Sequence, residues 1–143
     1  MKLIDLNILI YAVAESAPKH SRARAWVEQA LQGPETVALP WVVLLGFLRL
    51  STHHAVFEQP LTVDEAFDVV AGWLQVPAVT VVQETPRHFA VLRQLLAPLG
   101  TAGNLTMDAH LAALAVEHGA ELFSGDADFS RFPGVRWSDP LRD

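Results

Sequence analysis

The sequence predicts an α/β domain, a parallel sheet wrapped by helices on both faces, and three observations predict it. Short apolar and β-branched runs alternate with longer segments of helical spacing, the pattern of strands joined by helical crossovers. Hydrophobic residues make up 51% of the chain and charged residues 18%, a composition that packs rather than stays disordered. The 143 residues carry no repeat, low-complexity segment or long linker, so one domain spanning 1–143 is expected.

The run LIDLNILIYA, residues 3–12, reads as a buried strand, best defined over residues 2–5 and followed by the turn-prone Asn7. It poses a question, because Asp5 inside it is costly to bury unless something cationic meets it. Residues 20–32 place Ala23, Trp26, Val27, Ala30 and Leu31 on one helical face, and Gly33-Pro34 ends that helix. TVALP (36–40) reads as a short strand, and WVVLLGFLRLST (41–52) as a mostly apolar helix starting after Pro40. Thr62 and Glu65 form a capping-box pattern at the head of a helix over 62–75. Residues 79–82 are β-branched and read as a strand, with a helix over 86–96 after it. NLTMDAHLAALAVEHGAELFSGDADF (104–129) gives a helix capped by Thr106, a stop at Gly119, the short strand ELFS and a turn. Ala112 and Ala115 lie at i+4 and i+7 from Asp108, a small-residue face able to press close to a sheet. VRW (135–137) reads as a last edge strand.

Several function classes are excluded or disfavoured. A net charge of −6 and a pI near 5.4 exclude a bulk-electrostatic nucleic-acid binder; nucleic acid would need a local basic strip or bound cations. The absence of cysteine excludes disulfides and thiolate metal sites and fits a reducing compartment. Asp5 and Asn7 interrupt what would be a signal-peptide core, and VALPWVVLLGFL (37–48), broken by Pro40 and Gly46, is too short to span a bilayer. A soluble, cytoplasmic protein is expected. Neither nucleotide-binding glycine motif is present. A phosphoryl-accepting receiver domain is set aside because the only lysines, Lys2 and Lys19, come early.

In an open parallel sheet, ligands bind at the carboxyl ends of the strands. Asp5 sits at the end of the first strand, Asp126 and Asp128 follow ELFS, and Asp108 heads the helix leading into it. Each alone has an ordinary reading as a cap, a helix-dipole partner or a turn former. Together, three pieces of chain deliver carboxylates to one edge. Their repulsion calls for a cation, and hard oxygen donors without neighbouring His or Cys suit Mg²⁺ or Mn²⁺. Such a site is equipped for phosphodiester hydrolysis.

With LIDLNILIYA at the start, LTMDAHLAALAVEHGAEL near the end and SGDADFSRFPGVRWSDPL after it, the sequence resembles the PIN-domain ribonuclease toxins of the VapC family, in order over essentially the whole chain. The resemblance implies a three-layer α/β/α fold, an acidic site holding Mg²⁺ or Mn²⁺, and endonucleolytic cutting of RNA. It also implies a homodimer and a VapB-like antitoxin partner. On its motifs, Asp5, Asp108 and Asp126 match metal-holding catalytic acids and Asp128 an additional acid of the same turn. Asn7 and Ser124 match supporting polar positions. One departure stands out: Gly46 occupies the place where the family puts a Glu, with Arg49 three residues on. Asp128 or metal waters compensate for that loss, or the chain is a weak or inactive RNA- or antitoxin-binding module; both readings are open.

Outside that set, Arg49 has two readings, a phosphate or Asp5 partner and a helix C-terminal cation. Arg22 and Arg24 belong to an RNA strip or to a solvated helix face. His53-His54, His110 and His118 read as surface or packing residues with no ligand spacing. Trp41, Phe47, Phe67 and Trp73 give the middle helices more aromatic surface than a core needs; most of it reads as core, and the resemblance implies that part of it belongs to the groove in which the family takes an antitoxin segment.

Overall fold

The computed structural model describes residues 1–143. Five short parallel strands, β1 (Lys2–Ile4), β2 (Val37–Ala38), β3 (Val79–Thr80), β4 (Glu121–Phe123) and β5 (Trp137–Ser138), form one sheet in the order β3-β2-β1-β4-β5. Six helices connect them: α1 (Leu6–Val13), α2 (His20–Gln32), α3 (Trp41–Ser51), α4 (Val63–Leu74), α5 (His88–Leu96) and α6 (Thr106–Glu117). The chain walks outward from β1 to β2 to β3, then crosses back to β4 on the other side of β1. With right-handed crossovers, that reversal sends α1–α4 and α5–α6 to opposite faces. Helix packing falls into the same two groups, α1 with α2 and α3, α3 with α4, and α5 with α6. The β1/β4 junction is therefore the topological switch point, where an open sheet leaves a crevice.

Burial explains the central elements. Leu3, Ile4, Val37, Ala38 and Leu122 are fully covered, as strands enclosed on both faces must be. On α6, Ala112, Ala113 and Ala115 are equally buried, the close approach expected of the small-residue face. The Thr62–Glu65 capping box forms as read. Gly119 ends α6 with φ +65, a conformation in which Cβ-bearing residues are strained.

The fold departs from the sequence reading at three places. The strand of LIDLNILIYA stops at Ile4, and the rest is α1, with Asp5 as its N-cap accepting from the Leu6 amide at 2.7 Å. α1 is apolar nearly all round because it lies deep in the core, with Ile8 and Leu9 fully buried, so no helical period is visible in it. Thr106 does not cap α6; it is the first helical residue, and its hydroxyl donates to the Gly103 carbonyl at 2.8 Å. Residues 81–82 leave the sheet after Thr80, and α5 begins at His88 rather than 86, once the chain has been pinned at Thr85 by the Glu117 carboxylate.

Of the four aromatics, Phe47 and Trp73 are core, packed edge to face at 4.7 Å. Trp41 and Phe67 are exposed, along with Leu45 and Val63.

Candidate active site at the carboxyl edge of the sheet

Two adjacent strand ends build the site. β1 runs out into Asp5 and β4 into Ser124, side by side, with the Asp5 amide donating to the Phe123 carbonyl at 2.9 Å. Ser124 is fully buried, and its hydroxyl is the hub. It donates to Asp5 Oδ2 at 2.7 Å and accepts from the Asp126 amide at 3.0 Å and from Asn7 Nδ2 at 3.2 Å. Asn7 closes the loop by accepting the Gly125 amide on Oδ1 at 3.2 Å. Asp126 then caps a 3-10 turn over Ala127–Arg131, accepting the Asp128 amide at 2.9 Å. Asn7 and Ser124 thus tie the first acid to the last pair through hydrogen bonds that fix carboxylate direction.

Asp108 enters from the other face, in the first turn of α6. One carboxylate oxygen each from Asp108, Asp126 and Asp128 lie within 4.8 Å of one another. Asp5 stands outside this closest trio, one Ser124 hydroxyl behind Asp126, yet near enough for its charge to act on Asp108. Burial pushes the Asp108 carboxyl up to about 6, with the charges of Asp126, Asp5 and Asp128 adding to it. Burial also raises Asp5, against the lowering pull of hydrogen bonds from Ser124 and Leu6. Opposing charge is scarce. Among the four acids only Asp128 meets a cation, Arg131 Nη1 at 4.0 Å. The sequence reading does not single out Arg131, although its i,i+3 spacing from Asp128 is visible there.

The donor set fits a small hard cation. Three carboxylate oxygens within 4.8 Å of one another, with no His or Cys among them, are the donor type that Mg²⁺ or Mn²⁺ takes. The charge crowding that raises Asp108 is the condition a divalent ion relieves.

The remaining candidates are elsewhere or differently engaged. Arg49 is exposed in the last turn of α3, in no ion pair. Arg22 bonds the Leu141 carbonyl and Asp143, and Arg24 pairs with Glu28. The His53 and His54 rings stack on each other. His110 belongs to a separate chain of contacts with His88 and Glu117. At Gly46, an added Cβ would lie 2.5 Å from Leu6 Cδ2. The α3 position nearest the residue after Asp5 is therefore filled by a leucine methyl instead of a carboxylate.

Comparison with known proteins agrees with this picture. The PIN domain family model matches residues 2–135. Ribonuclease VapC37 of Mycobacterium tuberculosis is 46% identical over 140 residues, covering 98% of this chain and 97% of the relative. Ribonuclease VapC33 of the same species is 41% identical over 143 residues, the full length of both. Among solved structures, VapBC2 from Rickettsia felis, bound to a DNA fragment from its promoter, superposes with a TM-score of 0.71 at 15% identity, covering 96% of this chain and 97% of the other. The Mycobacterium tuberculosis toxin VapC20, described as cleaving the sarcin-ricin loop, gives 0.61 at 18% identity, covering 95% and 99%. At those identities the structures speak for the fold.

Proposed function

The chain belongs to the PIN-domain family, in its VapC branch, and on that premise we propose that it is a divalent-metal-dependent endoribonuclease, the toxin of a toxin–antitoxin pair. The observation that carries the reading is the trio of carboxylates within 4.8 Å at the switch point, backed by full-length relatives named as ribonucleases. Asp108, Asp126 and Asp128 supply the nearest oxygens for Mg²⁺ or Mn²⁺, and Asp5 supplies the fourth carboxylate, kept in place by Ser124 and the Leu6 amide. Bound there, the ion would polarise a phosphate and acidify a water. Asn7 and Ser124 hold the acids against their own repulsion, and Arg131, paired with Asp128 at 4.0 Å, would be a cation available to a bound phosphate. Water attacks phosphorus in line, the bond to the 3′ oxygen breaks and that oxygen takes a proton, leaving 5′-phosphate and 3′-hydroxyl ends.

No helix is long and apolar enough to cross a membrane, and a cytoplasmic site of action follows from RNA as the substrate. The exposed Trp41, Leu45, Val63 and Phe67 of α3 and α4 suit a VapB-like antitoxin segment, and we expect a homodimer. Cleavage of RNA in Mn²⁺ tests the reading. Asp5→Asn, Asp108→Asn and Asp126→Asn should each abolish it while keeping the wild-type circular dichroism spectrum. Undiminished cutting by these variants ends the proposal.

A second reading is favoured by Gly46: with Leu6 seated where the family's Glu would project, the chain binds RNA or antitoxin and cuts little. A silent wild-type protein that gains nuclease activity as Gly46→Glu would establish that reading instead.

A further inference from the structure

The acid-bearing turn after β4 hangs on a bond that the sheet itself does not provide. β4 and β5 pair in parallel, Leu122 opposite Trp137 and Phe123 opposite Ser138. Along this edge the β4 amides of Leu122 and Ser124 donate to the carbonyls of Arg136 and Ser138. In a parallel ladder the carbonyl of each such residue accepts from the amide two positions further along the partner strand. For Ser124 the donor in register is residue 140, which is Pro140 and has no N–H. The Ser124 carbonyl is met instead by the indole of Trp137, with Nε1 at 3.0 Å. Ser124 is fully buried, so its carbonyl would otherwise carry the cost of an unmet acceptor. The same residue's hydroxyl holds Asp5 Oδ2 and the Asp126 amide.

We propose that Trp137 is a positioning residue of the acidic site: its indole N–H replaces the amide that Pro140 lacks, and so fixes the Ser124 turn that aims Asp5 and Asp126. Partly buried itself, Trp137 gives its one indole hydrogen bond to Ser124 and to none of the four acids. The inference rests on the metal-site reading for its consequence but not for its geometry. Partners of this kind, one layer behind the ligands, govern metal affinity through orientation.

The experiment compares wild type, Trp137→Phe, Pro140→Ala and the double variant. Phenylalanine keeps most of the ring and removes the donor, while alanine at position 140 restores an amide at the ladder position. Mn²⁺ affinity is read by calorimetry, and amide hydrogen exchange at Asp126 is read in the metal-free protein. Trp137→Phe should weaken Mn²⁺ binding about ten-fold and speed Asp126 exchange. The double variant should recover most of both, a coupling that lost packing alone does not produce. Wild-type affinity and exchange in Trp137→Phe overturn the proposal, and so does a loss that Pro140→Ala leaves unrepaired. Should wild type take up no Mn²⁺, the metal reading above fails, and the exchange arm still decides whether Trp137 fixes the turn.

Discussion

Removing the Asp108 charge should stabilise this protein when metal is withheld and abolish its stabilisation when metal is supplied. The Asp108 carboxyl is raised from 3.8 to about 6, which corresponds to at most about 3 kcal/mol. The group is only partly buried, so solvent and salt screen roughly half of that. Asp108→Asn also gives up a favourable charge near the α6 N-terminus, about 0.5 kcal/mol. The net gain at pH 7.5 in EDTA is about 1 kcal/mol, or about 3 °C in Tm for a domain of this size. Because the native carboxyl titrates above its unfolded value, the native state holds more protons between about pH 4 and 6, and stability is lost as pH rises through that window. The advantage of the Asp108→Asn variant therefore vanishes at about pH 3.5, where the wild-type carboxyl is neutral as well. Mn²⁺ at a hundred times its Kd adds about 2.7 kcal/mol to wild type and little to the variant, so the order of melting reverses. Thermal melts at three conditions decide it. Lower stability of Asp108→Asn in EDTA at pH 7.5, or equal Mn²⁺ gains in both proteins, would refute the reasoning.

Three further outcomes follow from other contacts. Ser124→Ala strands Asp5 Oδ2 and the Asp126 amide, so urea melts should show a loss of about 2 kcal/mol and the Asp5 titration, followed by NMR, should move higher still. Gly46→Glu forces Leu6 aside; alone it should lower Tm, and with Leu6→Ala it should bind Mn²⁺ more tightly than wild type, both checked in one melting series. Burial works to raise the Glu117 carboxyl, but hydrogen bonds from Thr85 and His88 prevail and hold it below its usual value. Its contribution is present above about pH 4.5 and lost as acid protonates it, so Glu117→Gln should flatten the acid limb of the stability–pH curve without altering Mn²⁺ affinity.

Much of the fold is legible because local chemistry and tertiary demand agree. The 20–32 helix, the Thr62 capping box and the Gly119 stop each carry their own start or stop chemistry in the sequence, and tertiary packing merely accepts them. α1 reads wrongly as strand because burial on every side erases its period, leaving an apolar, β-branched run. Thr106 reads wrongly as a cap because several residue types can precede a helix, and a 3-10 turn at Gly103–Leu105 already supplies the entry.

The site divides along the same line. Asp5, Asp108 and Asp126 can be named because topology alone brings strand ends and a following helix start to one edge, and topology follows from the alternation of elements. Their ranking cannot be named, since it depends on side-chain reach. Asp5 spends its direction on capping α1 and meeting Ser124, while Asp128, lifted by the 3-10 turn, swings into the closest trio. With Gly46 in place, α3 brings no carboxylate to this edge, and the turn after β4 carries two of the three closest acids. That makes the geometry of this turn the quantity on which the whole acidic site depends. A carboxylate cluster drawn so heavily from one short turn is only as well defined as the turn's anchors, Asn7, the Ser124 hydroxyl and the Trp137 indole. Disturbing any of them should therefore weaken metal binding without removing a carboxylate.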